Sequence, residues 1–214
     1  MRHTLFFIKI LSSDNFFSDS LRMVLNECNY THKYNICSDK IAKNNFDLLI
    51  VIFTTHTMTD ILKYMKNIKT SLSMGKKVLI MGSEEFRRIC EGVVFGKTNI
   101  RFLNSRASIL TIINMIDVIV NSDNTNTVKH INFNKRIESI NPKSMEVVNY
   151  LLKGLPTSVI STILNRNVKT ISNHKRIVMH HLGVKTTLEL VIKCRLQILF
   201  DDIENGKNSN QQHY

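Results

Sequence analysis

The sequence predicts two folded parts: an α/β domain on a five-stranded parallel sheet, then an all-α domain of four helices. Three observations point there. Short apolar runs alternate with helical periodicity through residues 1–120. Residues 121–138 lose both patterns. Residues 139–200 then show helical spacing only.

The first strand is expected at Leu5 to Leu11 (LFFIKIL). Ser13, Asp14 and Asn15 follow with turn and cap chemistry. Phe17, Leu21, Val24 and Leu25 recur on one helix face. Tyr30 to Cys37 reads as a weaker second strand. Phe46 to Phe53 (FDLLIVIF) is the clearest strand, and its unbroken apolarity suggests burial on both faces. Ile61, Leu62, Met65 and Ile68 mark a helix, Lys77 to Met81 a strand, and Glu84 to Glu91 a short helix. Ile100 to Leu103 closes the sheet and Ile109 to Val120 the domain. Five β–α units imply right-handed crossovers, with ligands at the carboxyl ends of the strands.

Asn121 to Asn134 (NSDNTNTVKHINFN) is polar and turn-rich, so 121–138 is expected to be a linker. Beyond it, Asn141-Pro142 starts a helix that Gly154 ends. A second helix begins at Pro156-Thr157-Ser158, with the apolar seam Val159, Ile160, Ile163 and Leu164. Asn165-Arg166-Asn167 makes a tight turn. The third helix runs from about Val168 to Leu182, and a fourth from about Thr187 carries Leu188, Val191, Ile192, Leu196 and Leu199. A short helix, a tight turn and a longer basic helix form a helix-turn-helix plan. Residues 201–214 read as a disordered tail.

Charge follows the same division. The formal net charge is +12, and residues 139–200 hold 9 basic against 2 acidic residues. Residues 1–120 hold 16 against 10. A basic excess concentrated on a helical module is an electrostatic footprint for nucleic acid. Lys169, Ser172, Asn173, Arg176 and His180 share one stripe of the third helix, opposite Ile171, Val178 and Leu182. Asn can bond an adenine edge bidentately and Arg a guanine edge. Lys169 and Thr170 sit in the first turn, suited to phosphate oxygens.

Several classes are excluded. No run approaches the ~20 apolar residues that cross a bilayer, and the start lacks a signal-peptide cleavage site. Cys28, Cys37, Cys90 and Cys194 are scattered, as expected of reduced cytosolic thiols. No Gly-rich phosphate loop, nucleophile–base pair or metal spacing is present, so neither an enzyme nor a cofactor is expected. His174, His180 and His181 have basic neighbours and read as surface histidines.

The run Lys169-Thr170-Ile171-Ser172-Asn173-His174, with Leu182-Gly183-Val184, resembles the C-terminal module of LuxR-type regulators. Glu146-Val147-Val148 and Gly154-Leu155 lie at matching distances. Leu164 to Val184 is most similar to the capsule-synthesis (Rcs) regulators and their auxiliary relatives. The resemblance implies base contacts from Ser172, Asn173 and Arg176, and phosphate contacts from Lys169, Thr170 and Lys175. Departures are His181 where Lys is usual, Arg166 where an apolar residue is common, and Pro156 at the scaffold-helix cap, which leaves Thr157 to cap.

The first domain resembles the receiver domain of response regulators, a flavodoxin-like fold. Its functional positions are mostly altered. Ser12, Ser13 and Asp14 stand where an acidic pair holds Mg²⁺. The third strand ends Ile52-Phe53-Thr54, without the phosphoacceptor Asp. Ser83 can supply the hydroxyl, but Ser105, next to Arg106, stands for the Lys. An aspartyl-phosphate needs the missing carboxylate, so a degenerate, dimerising pseudo-receiver is expected. The implied partners are double-stranded DNA and a second copy or another response regulator, away from membranes and at the bacterial nucleoid. The alternative is a module that modulates a response regulator without touching DNA itself.

Overall fold

The computed structural model describes residues 6–27, 34–37, 45–54, 57–97, 99–122 and 139–208. Two compact units emerge: Met1–Arg87 with Phe95–Lys129, and Arg88–Val94 with His130–Tyr214.

The first unit is an α/β sheet domain. Its chain order is β1 (Phe6–Ser12), α1 (Asn15–Glu27), β2 (Tyr34–Ile36), β3 (Leu48–Ile52), α2 (Met58–Ser73), β4 (Lys77–Gly82), α3 (Glu84–Cys90), β5 (Glu91–Lys97), β6 (Ile100–Asn104) and α4 (Ile109–Asn121). Residues from Arg88 to Val94 in α3 and β5 belong to the second unit. The sheet has five strands in the order β2-β1-β3-β4-β6, all paired in parallel. This is the flavodoxin-like, receiver-type order. β3 lies mid-sheet, with Ile50 beside Ile10 and Leu79. Its five residues are all buried, which explains why the run LLIVI shows no alternation.

Strand side chains alternate between two layers. Ile8, Ile10, Leu48, Ile50, Ile52, Leu79 and Met81 form one core with Leu21 and Leu25 of α1 and Ile112, Ile116 and Ile119 of α4. On the opposite face α2 packs on β3 and β4. Thr57 caps α2 by accepting from Asp60 N, and Ser108 caps α4 by accepting from Thr111 N.

β5 was not foreseen in the sequence. Its apolar stretch Val93-Val94-Phe95 is only three residues, bracketed by Gly92 and Gly96, too short for a periodicity signal. It lies outside the five-stranded sheet. Most of the expected linker, 123–138, falls outside the described residues.

The second unit carries α5 (Pro142–Leu152), α6 (Thr157–Ile163), α7 (Val168–His181) and α8 (Thr187–Asn208). Asn141 accepts from Lys143 N ahead of Pro142 at the first helical position. Gly154, at φ +83°, and Gly183, at φ +67°, take the left-handed conformation that ends α5 and α7. Val147, Val148, Leu151, Ile160, Ile171, Val178, Leu182, Leu190 and Leu196 are buried among the four helices. Thr186 accepts from Glu189 N, and the Glu189 carboxylate accepts from Lys185 N, which closes the start of α8.

Three expectations are corrected. Thr157 is the first residue of α6, not its cap; Pro156 holds that place, and no side chain caps the helix. Val159 and Ile163 are exposed rather than part of the α6 seam, because α6 is two turns long and buries chiefly Ile160 and Ser161. α8 continues to Asn208, through most of the stretch expected to be irregular. Leu199 and Phe200 carry the apolar spacing of α8 up to the start of that stretch.

Candidate nucleic-acid interface

The turn between α6 and α7 sets the site. Asn165 takes φ +48°, a left-handed conformation that Asn tolerates better than most residues. Arg166 N donates to Ser161 O and Asn165 N to Thr162 O, so the α6 carbonyls are satisfied as the chain reverses. Asn167 then caps α7, its side chain accepting from Lys169 N at 2.8 Å. Thr170 N is bonded to Asn167 O. Both amides lie in the first turn of α7. They are engaged by Asn167, which leaves the side chains of Lys169 and Thr170 for the role.

α7 buries Ile171 and Val178 and turns the opposite face outward. Lys169, Asn173, Arg176 and His180 are exposed at i, i+4, i+7 and i+11. Thr170 is exposed beside them. Ser172 and Lys175 are half-buried on the flanks of the stripe. The structure therefore brings Lys169, Asn173 and Arg176 onto one open face, with Ser172 and Lys175 half-buried at its edges. No Asp or Glu occurs between Glu146 and Glu189, a stretch with six Lys and Arg residues. No carboxylate along this stretch of chain offsets its positive charge.

The histidines divide. His180 is exposed on the stripe. His174 Nδ1 lies 2.9 Å from Ser144 Oγ on α5, and His181 Nε2 lies 3.1 Å from Ser139 Oγ. All three were read as surface groups; His181 is exposed as expected, His174 is half-buried, and both tie α7 to the start of the domain. The clue was available at Ser144, since a polar residue fell at a helix position that buries with Val147 and Val148.

Cations elsewhere are committed to the fold. Lys77 Nζ donates to Ile119 O and Ser122 O at the end of α4, at 2.6 and 2.7 Å. Arg22 donates to Cys37 O and Ile10 O. Arg195 donates to Leu152 O at the end of α5. Helix C-terminal carbonyls carry partial negative charge and attract such donors. Part of the basic excess outside α7 is thus internal.

At the carboxyl ends of the sheet strands, Asp14 caps α1 by accepting from Phe17 N at 3.1 Å. Ser13 Oγ and Thr54 Oγ1 are 3.1 Å apart. Ser83 accepts from Phe86 N. Phe53 is buried and stacks on Phe86 at a centroid distance of 4.1 Å. Among the described residues, no group of three His, Cys, Asp or Glu side chains could hold a metal ion. Among them too, no helix is long and apolar enough to cross a membrane.

The chain joins a flavodoxin-like, receiver-type sheet domain to a basic helix-turn-helix domain. Residues 138–194 match the family described as "GerE: Bacterial regulatory proteins, luxR family", and this part of the chain is a LuxR-family helix-turn-helix domain. Comparison with curated proteins returns no match. Among solved structures, the fold is similar to the response regulator RcsB in complex with DNA, at TM-score 0.61 and 16% identity over 90% of this chain and 99% of that one. RcsB from Salmonella enterica serovar Typhimurium, bound to promoter P1flhDC with the phosphomimetic BeF3⁻, gives TM-score 0.60 and 16% identity over the same shares. Two RcsB dimers on two parallel DNAs give 0.59 and 16%, again over the same shares.

Proposed function

We propose that this chain is a sequence-specific DNA-binding transcriptional regulator, that it acts as a dimer and without phosphorylation, and that α7 enters the major groove. The observation that carries this reading is the open face of α7, where Lys169, Asn173 and Arg176 stand together. Ser172, Asn173 and Arg176 are the base-contacting residues; Lys169, Thr170 and Lys175 meet phosphates. The division of labour is a receiver-like domain at 1–120, a linker at 121–138 and the DNA-binding domain at 139–200. No catalysis is involved, and the site of action is the bacterial nucleoid in the cytoplasm. The DNA complexes of RcsB, which share the fold, support the same assignment.

Phosphorylation independence rests on the strand ends. β3 leads into Phe53-Thr54, and the Asp14 carboxylate is occupied as a helix cap. Dimerisation is supported by apolar side chains in water: Phe16 and Met23 on α1, Leu110 and Val118 on α4. The same side chains favour one second reading, a module that pairs with another response regulator and redirects it without its own DNA contact.

Selection of binding sites from random duplexes, followed by fluorescence anisotropy across salt, tests the proposal. A recovered motif bound with a steep salt slope is expected, unchanged by acetyl phosphate. Failure to select any motif, with a shifted footprint only when another regulator is present, would instead favour the second reading.

A further inference from the structure

The second unit has a part that its helices alone do not supply. Arg88–Val94, the end of α3 and the start of β5, groups with His130–Tyr214. Cys90 and Val94 are completely buried and Val93 nearly so. Facing this segment is α8. Lys193 is 1% exposed, an unusual place for an ammonium group. Its Nζ donates to Arg88 O at 2.7 Å. Arg88 O lies in the last turn of α3, where carbonyls lack helical partners. One turn earlier on α8, Glu189 is 8% exposed, and its carboxylate lies 3.8 Å from the Arg88 guanidinium. Residue 88 is thus gripped twice, by its carbonyl and by its side chain, from positions 189 and 193 on one face of α8.

Burying an ammonium costs several kcal/mol unless hydrogen bonds and nearby negative charge offset it. The helix-end carbonyl at Arg88 supplies such a partner. We infer that Arg88–Val94 is an integral piece of the helix-turn-helix unit, docked on α8, with Lys193 as its positioning residue. The DNA-binding unit is therefore discontinuous in sequence, and α8 has an internal partner of its own chain on the Glu189–Lys193 face.

Amide hydrogen exchange on the full chain tests this. In the unaltered protein, amides of 88–94 are expected to be as protected as those of α8. Lys193→Met removes the charge while keeping the bulk. It is expected to speed exchange at 88–94 by at least tenfold, leaving β1 and β3 unchanged. Glu189→Gln keeps an acceptor for Lys185 N and weakens the grip on Arg88, so it should produce a smaller rise in the same peptide. Unprotected 88–94 amides in the unaltered protein would overturn the inference, as would no local change in both variants. If Lys193→Met does not fold, Glu189→Gln alone decides. The measurement needs no DNA, so it remains decisive whether or not the chain binds DNA.

Discussion

Ser144 and His174 join the first and third helices of the helix-turn-helix domain through one side-chain hydrogen bond of 2.9 Å. Ser144 is 1% exposed, so its hydroxyl depends on a protein partner. His174→Ala should therefore lower unfolding stability by about 1–2 kcal/mol, the cost of leaving a buried hydroxyl unpaired. Ser144→Ala should lower it less. The double variant should cost less than the two changes summed. Urea denaturation of the four proteins gives the coupling, and strict additivity would mean that the bond contributes nothing.

The exposed stripe of α7 makes separable predictions for affinity and for specificity. Lys169→Ala should weaken binding to all duplexes alike and reduce the slope of log K against log salt by about 0.9, one phosphate contact. Asn173→Ala or Arg176→Ala should cost about 1–3 kcal/mol on the preferred site and relax the choice of one base pair. Anisotropy titrations on matched and mismatched duplexes would separate these outcomes. Equal losses on every sequence from Asn173→Ala would move that residue to the backbone-contacting set.

Burial pushes the Cys194 thiol up to about 11 from its ordinary value of 9.0, with Lys193 pulling the other way. Burial raises Cys90 as well. A raised thiol pKa means that the folded state holds its proton longer than the unfolded state does. The associated stability is complete below pH 9 and is lost as pH climbs from 9 toward 11. The loss for Cys194 should be about 2 kcal/mol. Cys194→Ala should flatten that part of the profile, measured by denaturation at pH 8 and pH 10.5. An identical decline with and without Cys194 would assign it to other groups.

Gly154 sits at φ +83° with open space where a Cβ would project. Gly154→Ala should thus cost about 1 kcal/mol from backbone conformation alone, without a steric clash. A thermal melt would show it as a fall of a few degrees. No change would mean that the end of α5 adjusts to another conformation at little cost.

Much of this was legible in the sequence, for specific reasons. β3 and β4 are continuous apolar runs, and buried parallel strands have that pattern. Asn141-Pro142, Gly154 and Gly183 punctuate the C-terminal helices because cap positions require particular backbone chemistry. The outward stripe of α7 follows from helical spacing alone. Other features depend on tertiary contacts. That His174 reaches Ser144, and that Lys77, Lys193 and Arg195 serve helix ends, cannot be read from local spacing. β5 was hidden because its apolar stretch is short.

The bond between Lys193 and Arg88 spans 105 residues of chain. Its closure entropy must be met before it contributes, so contacts of this separation belong late in folding. During synthesis, Arg88 leaves the ribosome long before α8 exists. The three-residue apolar run of β5 must stay soluble through that interval. Its brevity and its flanking Gly92, Gly96 and Lys97 limit the chance of premature association.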